Sequence, residues 1–295
     1  MKYNLPYLIN LPPFFIKDID VNDLKGVKKL SLILRGKILA FFIKILDKKI
    51  FCFFINTFFG SDGKINFENE KYFKLTKNGL KIYFPNKRIL RIVKNYKSNF
   101  DRIFYSYCLN EIDFKKGDII IDCGSNIGEL KYALNQYNIE TSYIAFEPDP
   151  QTFDCLNLNH SSESLHLFNY ALSNKEGSLK FFLDNEGGNS SLSNFGSNDS
   201  IEVESRTLDS MNFNFDCKLF KVEAEGHEPE VIEGSLKTLK RTEYISIDYG
   251  FERGINQENT IVECNNMLYE NDFKLVAFSE YRLIGLYKNS KYENE

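Results

Sequence analysis

Carboxylates recur where short apolar runs stop. Ile119-Ile120-Ile121 runs into Asp122, Tyr143-Ile144-Ala145-Phe146 into Glu147, Leu219-Phe220-Lys221-Val222 into Glu223, and Tyr244-Ile245-Ser246-Ile247 into Asp248. Glu225 and His227 follow Glu223 closely, and Asn169 and Ala171 follow the run ending at Phe168. An acid ending a buried run needs a partner, because an unpaired buried charge is costly. Gathered in one crevice, such acids suit a ligand rich in hydroxyls or cationic groups. An acid or imidazole beside a hydroxyl can also take its proton. Glu225, His227 and Asp248 are the candidate bases. Imidazole titrates near neutrality, which favours His227. An equal reading of His227 is a packing or capping residue at the helix start before Glu228, and Glu225 and Glu228 also suit a helix N-terminus.

These acids need a scaffold, and the stretch from Gly117 to Glu129 shows its plan. Three isoleucines read as a strand buried on both faces. A glycine turn follows, then an amphipathic run from Ile127 to about Tyr137 that reads as a helix. Strand, glycine turn and helix open a nucleotide-binding α/β unit. The turn Gly124-Ser125-Asn126-Ile127-Gly128 lacks the middle glycine of Gly-x-Gly-x-x-Gly, which lets backbone amides cradle a pyrophosphate. A ligand without phosphates fits better. Acids near the turn suit an ammonium and a sulfonium, and S-adenosylmethionine carries both. Glu147, 25 residues after Asp122, stands where an acid accepts hydrogen bonds from both ribose hydroxyls.

Beyond this unit the pattern keeps alternating. Strands are expected at 142–146, 165–170, 178–183, 201–204, 218–224 and 244–248, with helices at 152–159, 228–238 and 260–269. Residues 273–278 and 283–287 read as a closing hairpin. Gly234, inside the 228–238 helix, is expected to admit a close neighbour. The order predicts an α/β fold: a doubly wound, mostly parallel sheet with an antiparallel terminal hairpin. The domain reading is 1–63, an amphipathic helical region; 64–112, a hairpin and helix leading into the core; 113–290, the main domain; and 291–295, a polar tail. Thr76-Lys77-Asn78-Gly79 between apolar runs marks the hairpin. Lysines and Arg35 interrupt the apolar residues of 24–60. Such helices pack on the chain or a second subunit, or lie on an anionic membrane surface.

Composition narrows the classes. The net charge of −4 argues against a dedicated nucleic-acid binder. Six scattered cysteines form no CxxC pair, so neither a disulfide framework nor a zinc site is expected. Reduced thiols and a cytoplasmic location are the simplest reading, with peripheral contact at the inner membrane face as an addition. The first residues lack the pattern of a secretory signal. No stretch reaches the ~18 uncharged apolar residues of a membrane span. A divalent ion held by the clustered acids is the minor alternative to a metal-free site.

Five motifs together resemble one family. Ile-Asp-Cys-Gly-Ser-Asn-Ile-Gly (121–128), Ala-Phe-Glu-Pro-Asp-Pro (145–150), Asn-Tyr-Ala-Leu-Ser (169–173), Arg-Thr-Leu-Asp (206–209) and Phe-Lys-Val-Glu-Ala-Glu-Gly-His-Glu (220–228) resemble the FkbM family of S-adenosylmethionine-dependent O-methyltransferases. The resemblance covers about residues 85–290. It implies the class I methyltransferase (Rossmann-like) sheet of seven strands, the last one antiparallel. It implies S-adenosyl-L-methionine as cofactor, held by Asp122, Gly124, Ser125, Asn126, Gly128, Glu147, Pro148, Asn169, Ala171 and Glu223. A sugar or nucleotide-sugar hydroxyl is the implied acceptor, in surface glycan biosynthesis. The chain departs from the family's Lys-Ile-Asp-Val-Glu-Gly-Ala-Glu with Glu223, Ala224 and His227. Two rivals stand beside this reading. One is a dinucleotide-dependent oxidoreductase, which the missing glycine opposes. The other is a non-catalytic scaffold with a degenerate fold, working through residues 1–60.

Overall fold

The computed structural model describes residues 11–16, 19, 24–161, 165–183, 190–194 and 196–292. The end of the polar tail lies outside them. The chain divides into two compact units, Met1–Asn99 and Phe100–Glu295.

The first unit carries helices α1 (Pro13–Ile16), α2 (Gly26–Ile45) and α3 (Lys48–Phe59). An antiparallel sheet follows: β1 (Lys64–Glu68), β2 (Lys71–Leu75) and β3 (Lys81–Phe84). The Thr76–Gly79 turn joins β2 to β3, with Gly79 at φ +84°. Asn56 of α3 brackets Ile65 of β1, donating to its carbonyl at 2.7 Å and accepting from its N–H at 2.8 Å. Phe51 is fully buried, its ring edge-on to Tyr72 at 5.6 Å. Lys74 is also fully buried, and it donates to the carbonyls of Ser61, Ile92 and Val93. Helix α4 (Tyr96–Ser106) spans the junction of the two units.

The second unit is built on a seven-stranded sheet. Its strands are β4 (Ile119–Cys123), β5 (Ser142–Phe146), β6 (His166–Phe168), β10 (Cys217–Val222), β11 (Thr242–Asp248), β12 (Phe273–Phe278) and β13 (Ile284–Asn289). Between β6 and β10, the strands β7 (Ala171–Leu172), β8 (Gly177–Phe182) and β9 (Ser200–Arg206) form a separate small sheet. The order of the large sheet is β12-β13-β11-β10-β4-β5-β6. β6, β5, β4, β10 and β11 run parallel, and β13 is antiparallel to both β11 and β12. This is the doubly wound sheet with a terminal antiparallel hairpin expected from the alternation. Ile120, Ile121, Leu219, Phe220 and Ile245 are fully buried, as strands covered on both faces require. The chain leaves β4 in one direction to β5 and β6, then returns to place β10 on β4's other side. In sheets of this kind ligands bind beyond the carboxyl ends of the strands at such a reversal, here the ends of β4 and β10.

Helices α5 (Glu129–Gln136), α6 (Pro150–Asn159), α7 (Glu228–Glu233), α8 (Leu236–Leu239) and α9 (Ile261–Glu270) connect the strands. The single helix expected over 228–238 is two. The Gly234 carbonyl accepts from Asp209 N at 3.0 Å, which diverts it from the helix ladder. The Asp209 carboxylate accepts from the N–H groups of Lys237 and Thr238, both at 2.8 Å, and so starts α8. The close neighbour expected at Gly234 is there. A Cβ at this position would lie 2.0 Å from the Ser173 carbonyl oxygen.

Candidate active site

The glycine turn closes over the end of β4 because two residues tolerate tight packing. Gly124 has φ +70°, and a Cβ on it would sit 1.9 Å from the Glu223 carbonyl oxygen. Gly128 has φ +85° and backs onto the His160 ring, whose Nε2 lies 3.2 Å from the Gly128 carbonyl. The N–H groups of Gly124 and Ser125 both donate to the Phe146 carbonyl at 3.0 Å. The turn is thereby anchored to the end of β5, where Glu147 begins the next loop.

Glu147 is bound to that turn. Its Oε2 accepts from Asn126 N at 2.8 Å and its Oε1 from Asp149 N at 3.0 Å. Asn126 reaches it with a left-handed backbone, φ +52°. Burial pushes the Glu147 carboxyl up to about 7, against the pull of the two backbone donors. Asn169 donates its amide to the carbonyls of Glu147 and Pro148 at 2.8 and 3.0 Å, so these three residues form one braced loop. Ala171 is buried in β7, paired with β9.

Asp122 stands differently from the expectation that it faces the cofactor. It has no exposed surface. Its carboxylate accepts from the Tyr143 hydroxyl and lies 2.9 Å from Lys221 Nζ. The register places Lys221 directly opposite Asp122 across the β4–β10 pair. Lys221 Nζ also donates to the carbonyls of Cys123 and Gly124 at 3.0 and 2.8 Å and lies 3.3 Å from Glu223 Oε2. Burial opposes its charge, but Asp122 and Glu223 more than offset this and raise its pKa. Asp122 is part of the wall behind the turn.

At the ends of β10 and β11, two carboxylates share one guanidinium. Arg282 Nη2 donates to Glu223 Oε1 at 2.6 Å and also contacts Asp248 Oδ2. The Tyr107 hydroxyl donates to Glu223 Oε2, and the Arg282 guanidinium lies 6.0 Å over the Tyr107 ring. The two acids respond in opposite directions. Burial would raise Glu223, yet Arg282 and Lys221 hold it far below the ordinary value and keep it ionised. Burial pushes Asp248 up to about 7, with Arg282 opposing and the Glu223 charge adding to the rise. Burial raises the Glu252 carboxyl nearby.

The loop after β10 is closed by its own residues. The Glu228 carboxylate accepts from Ala224 N and Gly226 N, both at 3.0 Å, and from the Thr260 hydroxyl. Glu225 adopts φ +50°, and its carbonyl accepts from Ser191 Oγ at 2.6 Å. Arg253 forks onto Glu230 at 2.9 and 2.8 Å and reaches the Gly226 carbonyl. His227 has a partner on each ring nitrogen: Ser173 Oγ at 2.9 Å from Nε2, and Glu230 Oε2 at 3.5 Å from Nδ1. Burial lowers its pKa. Of the three candidate bases, Asp248 is the one on the shared guanidinium, while His227 ties α7 to the loop at Ser173.

The sequence reading omitted Lys221, Tyr107 and Tyr143 from the site. Lys221 had a signal: a charge set between Phe220 and Val222 in a buried run demands an acid beside it. Arg282 comes from the loop between β12 and β13 and bridges Glu223 and Asp248. Tyr107 lies 116 residues from Glu223, and nothing local marks it.

Comparison with known proteins agrees with these motifs. Residues 122–275, more than half of the chain, match the methyltransferase FkbM domain. A curated relative, "Methyltransferase 1" of Beauveria bassiana, is 25% identical over 173 residues, which cover 53% of this chain and 66% of that protein. The crystal structure of methyltransferase FkbM from Methylobacillus flagellatus is similar at a TM-score of 0.45 and 12% identity, covering 65% of this chain and 50% of that one. A precorrin-6y C5,15-methyltransferase from Geobacter metallireducens is similar at a TM-score of 0.38 and 11% identity, over 69% of this chain and 93% of that one. The chain belongs to the FkbM methyltransferase family.

Proposed function

We propose that the protein is an S-adenosylmethionine-dependent O-methyltransferase whose acceptor is a hydroxyl of a sugar or nucleotide-sugar, acting in the building of a surface glycan. Arg282 shared between Glu223 and Asp248 carries the reading. Two carboxyls driven apart in pKa mark an acid–base pair, one kept anionic and one able to gain a proton near neutrality. The residues also fit the cofactor. A carboxylate has about four acceptor positions, and the backbone of Asn126 and Asp149 supplies Glu147 with two donors. A ribose diol supplies two more. The turn from Gly124 to Gly128 offers backbone rather than a charged phosphate cradle, which suits the methionine end.

When bound, S-adenosylmethionine supplies an electrophilic methyl on a sulfonium. Asp248, in its ionised form, would take the proton of the acceptor hydroxyl as the oxygen–methyl bond forms, while the sulfur–methyl bond would break and the demethylated cofactor would leave as a neutral thioether. Glu223 stays anionic and holds Arg282, which keeps Asp248 in place. Arg282, part-exposed and held by Glu223, has further donors for a polyhydroxylated acceptor, and this together with the family supports the sugar reading. Incubation with methyl-labelled S-adenosylmethionine and a panel of sugars and nucleotide-sugars tests it. Label on an acceptor oxygen supports the proposal. Label on carbon or nitrogen of another class of acceptor contradicts it.

A further inference from the structure

We infer that α2 docks on an anionic lipid surface. Val27, Leu30, Leu34, Ile38, Phe41 and Ile45 are 47–83% exposed. At 3.6 residues per turn they fall within an arc of about 80°, a stripe about 27 Å long. Helix α2 buries Leu32, Gly36 and Leu39, which lie on the opposite side of its wheel. The stripe is therefore an apolar face separate from the packed one. Single exposed apolar residues need no explanation, but six in one line do.

The charges identify the occupant. On the same wheel Lys37 and Lys44 border one edge of the stripe and Arg35 stands about 60° beyond the other, while Lys28 and Lys29 fall toward the packed side. Helix α2 contains no acidic residue. Arg35 also lies 5.9 Å over the Phe15 ring. An apolar face flanked by basic residues matches a helix lying in the headgroup region, where long basic side chains reach phosphates while the stripe enters the acyl boundary. A second copy of the same face would bring like charges together, which disfavours self-association. Among the described residues no helix is long and apolar enough to cross a membrane, so the contact is along the surface.

Flotation of the full chain with vesicles tests this. Vesicles of phosphatidylcholine are compared with vesicles that also contain phosphatidylglycerol. The expected result is at least about tenfold tighter binding to the anionic vesicles, reversed by raising salt. The double variant Leu34→Ser/Phe41→Ser loses that binding, with its circular dichroism and melting temperature unchanged because both side chains are exposed. Equal or absent binding to the two vesicle types overturns the inference, and so does full binding by the double variant. A concentration-dependent dimer in vesicle-free solution that the same variant dissolves overturns it in favour of a second copy.

Discussion

Lys221 Nζ on β10 lies 2.9 Å from Asp122 Oδ1 on β4, at the strand pair where the sheet reverses its order. Neither side chain meets solvent to any extent, at 3% and 0% exposure. The pair joins the glycine turn to Glu223, because the same ammonium also binds the carbonyl of Gly124 and the Glu223 carboxylate. Structure and site therefore share one charge.

Removing that charge leaves Asp122 buried and uncompensated. Breaking a buried pair from one side costs about 3–5 kcal/mol. Lys221→Met is expected to lose stability in that range in urea unfolding. Lys221→Met/Asp122→Asn is expected to recover part of it, because no lone charge remains. A double-variant loss equal to the sum of the losses in Lys221→Met and Asp122→Asn would show that the pair is not coupled.

Glu147 makes stability depend on pH. Its carboxyl is raised from an ordinary 4.5 to about 7 by burial. Between these values the unfolded chain has lost the proton and the folded chain retains it. The folded state therefore loses stability as pH rises from about 4.5 to about 7. His227, lowered by burial, acts in the opposite sense below 6.5. The contribution of Glu147 is isolated by comparing wild type with Glu147→Gln. The variant's unfolding free energy is expected to fall less between pH 5 and 7.5, by chemical denaturation in the absence of cofactor. Parallel profiles would contradict the assignment.

Asp248 is assigned the proton. Asp248→Asn is expected to lower kcat by about 10²- to 10⁴-fold, the usual worth of a general base. Cofactor affinity should stay within about threefold. The wild-type rate should fall below pH 7, where the raised carboxyl is protonated. His227→Gln should cost far less in kcat, since both ring nitrogens serve packing. A His227→Gln loss equal to that of Asp248→Asn would move the base to His227.

Much of the fold was legible because strand burial leaves a strong pattern. Ile119–Ile121 and Tyr143–Phe146 are short apolar runs that follow polar turns and end on an acid, a pattern that marks strands. Gly234 was legible as a close approach, yet the break it sits in was not, because the cause is Asp209, a residue 25 positions earlier. The site was half legible. Acids at strand ends mark its rim, but which of them face inward depends on cross-strand register. That register buries Asp122 against Lys221 and leaves Glu223 to meet Tyr107 and Arg282, which come from distant segments. The role of His227 was ambiguous from sequence since a histidine beside a helix start serves packing as well as catalysis.

The account rests on Glu147 and the turn it bonds holding S-adenosylmethionine, and calorimetric titration of the purified protein measures this most directly. One saturable site for S-adenosylmethionine is predicted, weakened at least about tenfold by Glu147→Ala through loss of charged hydrogen bonds to the ribose. No heat is expected with NAD. Saturable binding of NAD without binding of S-adenosylmethionine, or undiminished affinity in Glu147→Ala, would contradict it.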